Sequence, residues 1–144
     1  MALAEPFCPV STSFGTWMTQ AHVQLIAPRP RHGKRIRLLS PLIWEDPDGE
    51  VMIVPLGFES DGGSIPRVLW SLVGGPLDDA YVVATILHDW ECEQRAHSSA
   101  QVHERFYRSM RAAGTSWLIA RGFYHAVRTK GPSWTINQGL TDGH

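Results

Sequence analysis

Cysteine is nearly absent. Cys8 and Cys92 stand far apart in 144 residues, which excludes a disulfide framework or a thiolate metal motif and suits a reducing compartment. No apolar run approaches the roughly 20 residues that a bilayer-spanning helix needs. The opening MALAEPFCPV has neither the basic start nor the long apolar stretch of a secretory signal. There is no charge excess of either sign: the net charge is −1 and the sequence pI about 6.6. Whole-chain electrostatics therefore do not draw this protein to nucleic acid or to an anionic membrane. Internal repeats and low-complexity tracts are missing, and no Gly-rich stretch fits a Walker loop or a dinucleotide fingerprint.

What remains is a chain of one-domain size with 43% hydrophobic and 19% charged residues, enough to bury a core. Its character changes near residue 76. Before that point, Pro, Gly and β-branched residues dominate. HVQLIAP (22–28) suits a short strand, and the segment from Arg29 to Phe58 reads as a hairpin about the Asp46-Pro47-Asp48-Gly49 turn, where Pro presets φ and Gly accepts a positive one. Pro41 marks a break or an edge. From Val51 to Leu56 both alternating faces are apolar, which predicts a well-buried strand. After residue 76 the period is helical. Pro76 to Asp79 opens a helix to about Trp90. Ser98 to Gln101 resembles a capping box for a second helix that ends before Gly114. A third runs from Thr115 or Ser116 to about Arg128. Val102, Phe106 and Met110 share one face of the second. The tail from Ser133 is expected to be loosely ordered. The expected class is α+β: a small antiparallel sheet packed on a three-helix C-terminal half.

Two stretches carry chemistry. In GFESDGGSIPRVLW (57–70) a tight turn presents Asp61, Ser64 and Arg67, either into a site or back onto their own backbone. In ILHDW (86–90) an apolar helix ends in adjacent His88 and Asp89. Neighbours on a helix point about 100° apart, so the two cannot be buried alike, yet both can reach one ion beyond the helix end. Alternatively, His88 interacts with the last carbonyls and Asp89 pairs with an arginine. His103 and Glu104 on the second helix are further donors, as is His125 beside Tyr124 on the third, for which the favoured alternative is a packed core position. Cys92 lies four residues after His88, a spacing that also permits a Cys-His pair.

These segments, with Phe106, Met110 and FYHAVRTKG, resemble the phage- and prophage-associated family called domain of unknown function 1353 (DUF1353), over roughly residues 50 to 131. The most specific part is the DGxSIPR…LW loop followed by HD. The family pattern carries Ala where Gly63 sits and Asp where His103 sits. With that Asp as a metal ligand, His103 is a chemically sensible substitute. The resemblance implies a phage or mobile-element setting, hence a bacterial host cytoplasm or a virion, and no established reaction.

Three functional expectations follow. The first is a metal-dependent hydrolase acting on a phosphoester or a cell-wall bond. Its divalent ion (Zn, Mn, Fe or Mg) is held by His88, Asp89 and His103 with Glu104 or Asp61, and Arg67 or Arg128 holds an anionic substrate group. The second is a non-enzymatic virion or tail accessory, with phage structural proteins or the cell wall as partners and the same residues as a polar lock. The third is nucleic-acid binding through Arg29, Arg31, Lys34, Arg35 and Arg37, set against an edge strand or solvated face using the same charges. Among the six tryptophans, Trp44 and Trp70 read as core, while Trp90, Trp117 and Trp134 could wall the His-Asp site.

Overall fold

The computed structural model describes residues 8–29, 33–60 and 79–136. The strands are β1 (Thr16–Trp17), β2 (Val23–Arg29), β3 (Gly33–Leu38), β4 (Leu42–Glu45), β5 (Val51–Val54) and β6 (Glu59–Ser60). The helices are α1 (Asp79–Gln94), α2 (Ser99–Ala112) and α3 (Trp117–Lys130). The arrangement is α+β, with strands in the N-terminal half and helices in the C-terminal half. The strands form two antiparallel three-stranded sheets, ordered β1-β4-β5 and β2-β3-β6, where one small sheet was expected. The chain changes sheet between Leu38 and Leu42, at the break that Pro41 imposes.

Turn chemistry sets the β4–β5 register. The Gly49 amide donates to the Asp46 carbonyl at 2.8 Å and the Asp46 amide to Glu50 at 2.8 Å. This aligns Leu42 with Val54 and Trp44 with Met52. Leu42, Trp44 and Val54 are fully buried, whereas Val51 and Ile53 are more than half exposed. The expectation of a well-buried strand is thus corrected. β5 is a sheet edge, and only its Val54 face meets the helices. The expected edge role of 29–37 is corrected too, because β3 runs between β2 and β6. Ile36 and Leu38 face inward, while Arg35 and Arg37 share the outer face and both bond Glu59 on β6.

Helix boundaries follow local signals. Ser98 and Gln101 close a full capping box at α2, and the Ser116 hydroxyl caps α3. α2 buries Val102, Phe106 and Met110, and α3 buries Ala120, Phe123 and Val127, each at helical spacing. α1 differs, since residues 84–88 are all buried, His88 included. These helix faces and the inner strand faces form one core. Trp17 joins β1 to α2 directly, its indole N–H donating to the Ser109 carbonyl at 3.0 Å. Trp70, and the proposed helix start at Pro76, lie outside the described residues.

Gly15 allows the close approach of β1 to β4. Its φ is +110°, and an added Cβ would lie 2.6 Å from the Glu45 carbonyl oxygen and 2.8 Å from the Trp44 ring. Gly49 also has positive φ, but open space around it. Gly49→Ala should therefore cost about 1 kcal/mol from backbone strain alone, and Gly15→Ala at least about 2 kcal/mol, because backbone or Trp44 must move. Urea denaturation of both variants checks the difference, and equal costs would remove the packing argument.

Candidate functional site

The site lies between α1 and α2. His88 projects from the buried stretch of α1, 1% exposed, and its ring stacks on Phe106 with centroids 4.4 Å apart. His103 faces it from α2, 4% exposed. His88 Nε2 and His103 Nδ1 are 3.0 Å apart, and His103 Nε2 is 3.0 Å from the Pro132 carbonyl. That carbonyl can only accept, so His103 carries its proton on Nε2. Its Nδ1 is then a lone pair, and His88 donates to it through Nε2–H. Both rings are neutral in this chain of bonds. Burial, and then the neighbouring His103, push the His88 pKa down to about 3. Burial also lowers His103, against the Pro132 hydrogen bond, which acts the other way.

The segment after α3 completes this geometry. An added Cβ on Gly131 would meet the Val127 carbonyl oxygen at 2.4 Å, so only glycine lets the chain turn so tightly there. The turn delivers Pro132 to His103. Trp134 then sits edge-on to His103 at 6.3 Å, its indole N–H bonded to the His97 carbonyl at 2.7 Å and its backbone to Ser99. The tail expected to be loose from Ser133 is thus held at Trp134. Trp134, expected to close a His-Asp site, packs against His103 instead. Trp90 packs on Phe58, and Trp117 lies more than half exposed beneath Arg121.

Asp89 turns away from His88. It accepts a hydrogen bond from Ser60 on β6, tying α1 to the second sheet. Glu104 also points elsewhere: it is 58% exposed and faces Arg108 at 3.8 Å. His125 is exposed on α3, where a packed core position was the alternative, and Arg128 bonds Tyr124 at 3.3 Å on the outer surface. Asp61, Ser64 and Arg67 lie outside the described residues. The structure therefore brings together two of the four proposed metal ligands, His88 and His103. Cys92 joins them, its Sγ 3.6 Å from His88 Nε2 and 3.9 Å from Nδ1. Among the described residues no group of three or more His, Cys, Asp or Glu is placed to hold a metal.

Sequence reasoning missed Glu91 and Arg105. Arg105, 4% exposed, meets Asp46 at 3.1 Å, bonds Glu50, and lies 3.6 Å from Glu91. One guanidinium cannot neutralise three carboxylates. Glu91 has the longest contact and neither oxygen finds a hydrogen bond among the described residues. Burial pushes its pKa up to about 7, overcoming the attraction of Arg105 and assisted by Glu50 and Asp46. The signal for Glu91 was its place three residues after His88, on the same helix face. Arg105 gave none, because an arginine beside Glu104 reads as a solvated face.

The fold and this buried imidazole pair define a small α+β domain organised around a helix–helix polar site. The chain belongs to the DUF1353 family, described as "Protein of unknown function (DUF1353)", which matches residues 36–127. Its relatives include "Uncharacterized protein y4jT" of Sinorhizobium fredii (strain NBRC 101917 / NGR234), 39% identical over 101 residues that make up 70% of this chain and 30% of the relative. A second, "Uncharacterized protein y4iH" of the same organism, is 39% identical over 56 residues, 39% of this chain and 23% of the relative. The matches thus span less than a third of either relative's length. No solved structure matches the chain.

The shifted groups act oppositely on metal-free stability, His88 and His103 one way and Glu91 the other. Between about pH 3 and 6.5 the unfolded chain binds a proton at residue 88 that the folded chain does not. The stability tied to a neutral His88 is therefore complete above pH 6.5 and falls as pH drops, by about 1.4 kcal/mol per unit. Glu91 is the reverse: the folded chain keeps a proton that the unfolded chain releases, so stability falls as pH rises from about 4.5 to 7. Glu91→Gln should remove the second slope. The loss of stability on acidification below about pH 6.5 should then become steeper, because Glu91 no longer offsets the two histidines, as read from urea titrations between pH 4 and 8. An unchanged profile would mean that Glu91 ionises normally.

Proposed function

We propose that the chain is a metal-dependent hydrolase in which His88 Nε2 and His103 Nδ1 ligate one divalent ion. The observation that carries this reading is the bond from His103 Nε2–H to the Pro132 carbonyl. A backbone carbonyl on the far nitrogen is the usual support of a metal-binding imidazole, since it sets the tautomer and aims the other lone pair. Here that lone pair is aimed at His88 Nε2, 3.0 Å away. Two nitrogens on one tetrahedral ion at about 2.1 Å stand about 3.4 Å apart, so the rings need to part by only a few tenths of an ångström. His88 would then carry its proton on Nδ1. A pair of neutral imidazoles suits Zn or Fe better than Mg.

A bound ion would supply Lewis acidity and lower the pKa of a water molecule toward neutrality. The protein's part is to hold both rings against Phe106 and Trp134, keep bulk water from their edges, and provide in Glu91 a carboxyl that exchanges a proton near neutral pH. The substrate class stays as the residues suggested it, a phosphoester or a cell-wall bond. A phage or mobile-element setting would favour the cell wall by analogy only. The test is elemental mass spectrometry of the purified chain beside His88→Ala and His103→Ala. Near-stoichiometric Zn, Mn or Fe, lost in both folded variants, is the expected result. A wild type that stays metal-free after reloading sinks the reading.

The Arg105 cluster favours the second reading, a non-enzymatic accessory domain. Arg105 joins the β4–β5 turn to both helices, and Asp89 joins α1 to β6. Such a lock serves a structural module as well as an enzyme. Arg105→Ala leaves Glu91 buried without its counter-ion and Asp46 with Arg108 alone, and should cost about 3–5 kcal/mol by chemical denaturation. A cost below about 1 kcal/mol would show that water replaces the guanidinium and that no lock exists.

A further inference from the structure

The near-neutral total of 13 Lys and Arg against 14 Asp and Glu conceals a segregation of charge. Residues 105–141 contain Arg105, Arg108, Arg111, Arg121, Arg128 and Lys130 and not one Asp or Glu. Arg105 is buried among its carboxylates, and Arg108 is shared between Asp46 and Glu104. Among the described residues, none of Arg111, Arg121, Arg128 and Lys130 pairs with a carboxylate. Among the described residues, the outer surface of α2 and α3 from Arg111 onward is therefore a region of uncompensated positive charge on a chain of net charge −1.

The same surface is aromatic, and the two chemistries alternate. Along α3, Arg121 lies over the Trp117 ring at 5.8 Å and Arg128 over Tyr124 at 5.9 Å. Trp117, Arg121, Tyr124 and Arg128 form one stripe of ring, cation, ring and cation. At 1.5 Å per residue it is about 16 Å long. Beside it opens a groove of about 470 Å³, lined by Phe14, Glu104, Tyr107, Arg108, Arg121 and Tyr124. Tyr107 continues the ring series, 6.1 Å from Tyr124 and 6.4 Å from Phe14, and Arg111 covers the other end, 4.9 Å from the Phe14 ring.

We infer that the α2–α3 face binds a single-stranded nucleic acid. The cations would follow the phosphates, and the rings would stack on three or four successive bases. Charge complementarity commits the surface to a polyanion. The alternation selects an unpaired strand, because rings set between cations match bases set between phosphates, whereas a duplex offers no free base face. The strand β3 lacks this combination: Arg35 and Arg37 share Glu59, and no Phe, Tyr or Trp lies between Arg29 and Arg37. The inference does not depend on a metal at His88 and His103, which face the interior.

The test uses the full chain and a labelled single strand of about 15 nucleotides of mixed sequence, followed by fluorescence anisotropy from about 50 to 200 mM salt. Saturable binding is expected, with log K falling linearly in log salt by about 0.7 per phosphate engaged. Exposed positions allow the variants to fold, which circular dichroism checks. Arg121→Ala with Arg128→Ala should weaken binding at least about tenfold and reduce the slope by about 1.4, that is, by two phosphates. Trp117→Ala should weaken binding and leave the slope unchanged, since a ring releases no counter-ions. Absence of binding at about 50 mM salt overturns the inference. So does equal affinity for duplex, or a loss produced by Arg35→Ala with Arg37→Ala in place of the α3 pair. Arg121- and Arg128-dependent capture by phosphatidylglycerol vesicles without strand binding would reassign the face to a membrane surface, which the exposed Leu118 would then enter.

Discussion

One buried guanidinium holds the two halves of this protein together. Arg105 leaves α2 for the interior and meets Asp46 and Glu50 from the β4–β5 turn and Glu91 from α1. Each contact joins elements far apart in the chain. A buried positive charge is tolerated only when carboxylates surround it, and a buried carboxylate only when a cation does. The turn therefore cannot shift against the helices without stranding a charge. The cluster is also unbalanced. Three acids on one guanidinium, with Arg108 helping Asp46 from the rim, leave Glu91 as the member that most easily takes a proton. The charge that fixes the fold thus also creates a carboxyl tuned near neutrality, one turn of α1 from His88.

The imidazole pair depends on a second constraint, at the far end of the helical hairpin. His103 can present Nδ1 to His88 only because Pro132 occupies Nε2. Pro132 reaches it only because Gly131 tolerates the Val127 carbonyl where any side chain would collide. A glycine at a helix end thereby selects a tautomer one helix away. The hydrogen bond within the pair and a metal bridging it use the same two nitrogens, so the structural and the catalytic readings share one geometry and differ in what lies between the rings.

Much of the fold was legible in the sequence, and the exceptions have specific causes. The capping box at Ser98, the turn at Asp46 to Gly49 and the Val102–Phe106–Met110 face depend on neighbours in the chain, and they are found where local rules place them. β5 was misjudged because apolar residues on both faces cannot reveal which face the helices cover, and Val51 and Ile53 lie on the uncovered one. β3 carries charges that suit an edge, yet β6 pairs with it and makes it central, and Glu59 on β6 bonds both Arg35 and Arg37. In the site, His88 was legible from its place at the end of an apolar run. Glu91, Arg105 and Pro132 were not, since each acquires its role from residues 14 to 59 positions away.

The sequence by itself determined the class of fold, the starts of α2 and α3, the hairpin turn and the family, because each rests on residues within a few positions or on a recognisable order of residues. It also contained the charge segregation after Glu104, in plain view as a run without acids. Tertiary structure alone decided which donors meet. It put His88 against His103, sent Asp89 to Ser60 and left Glu104 in solvent, although His88 and Asp89 are neighbours in sequence, as are His103 and Glu104. A helix turns adjacent residues about 100° apart, and only the packing of the second helix decides which of the two faces inward.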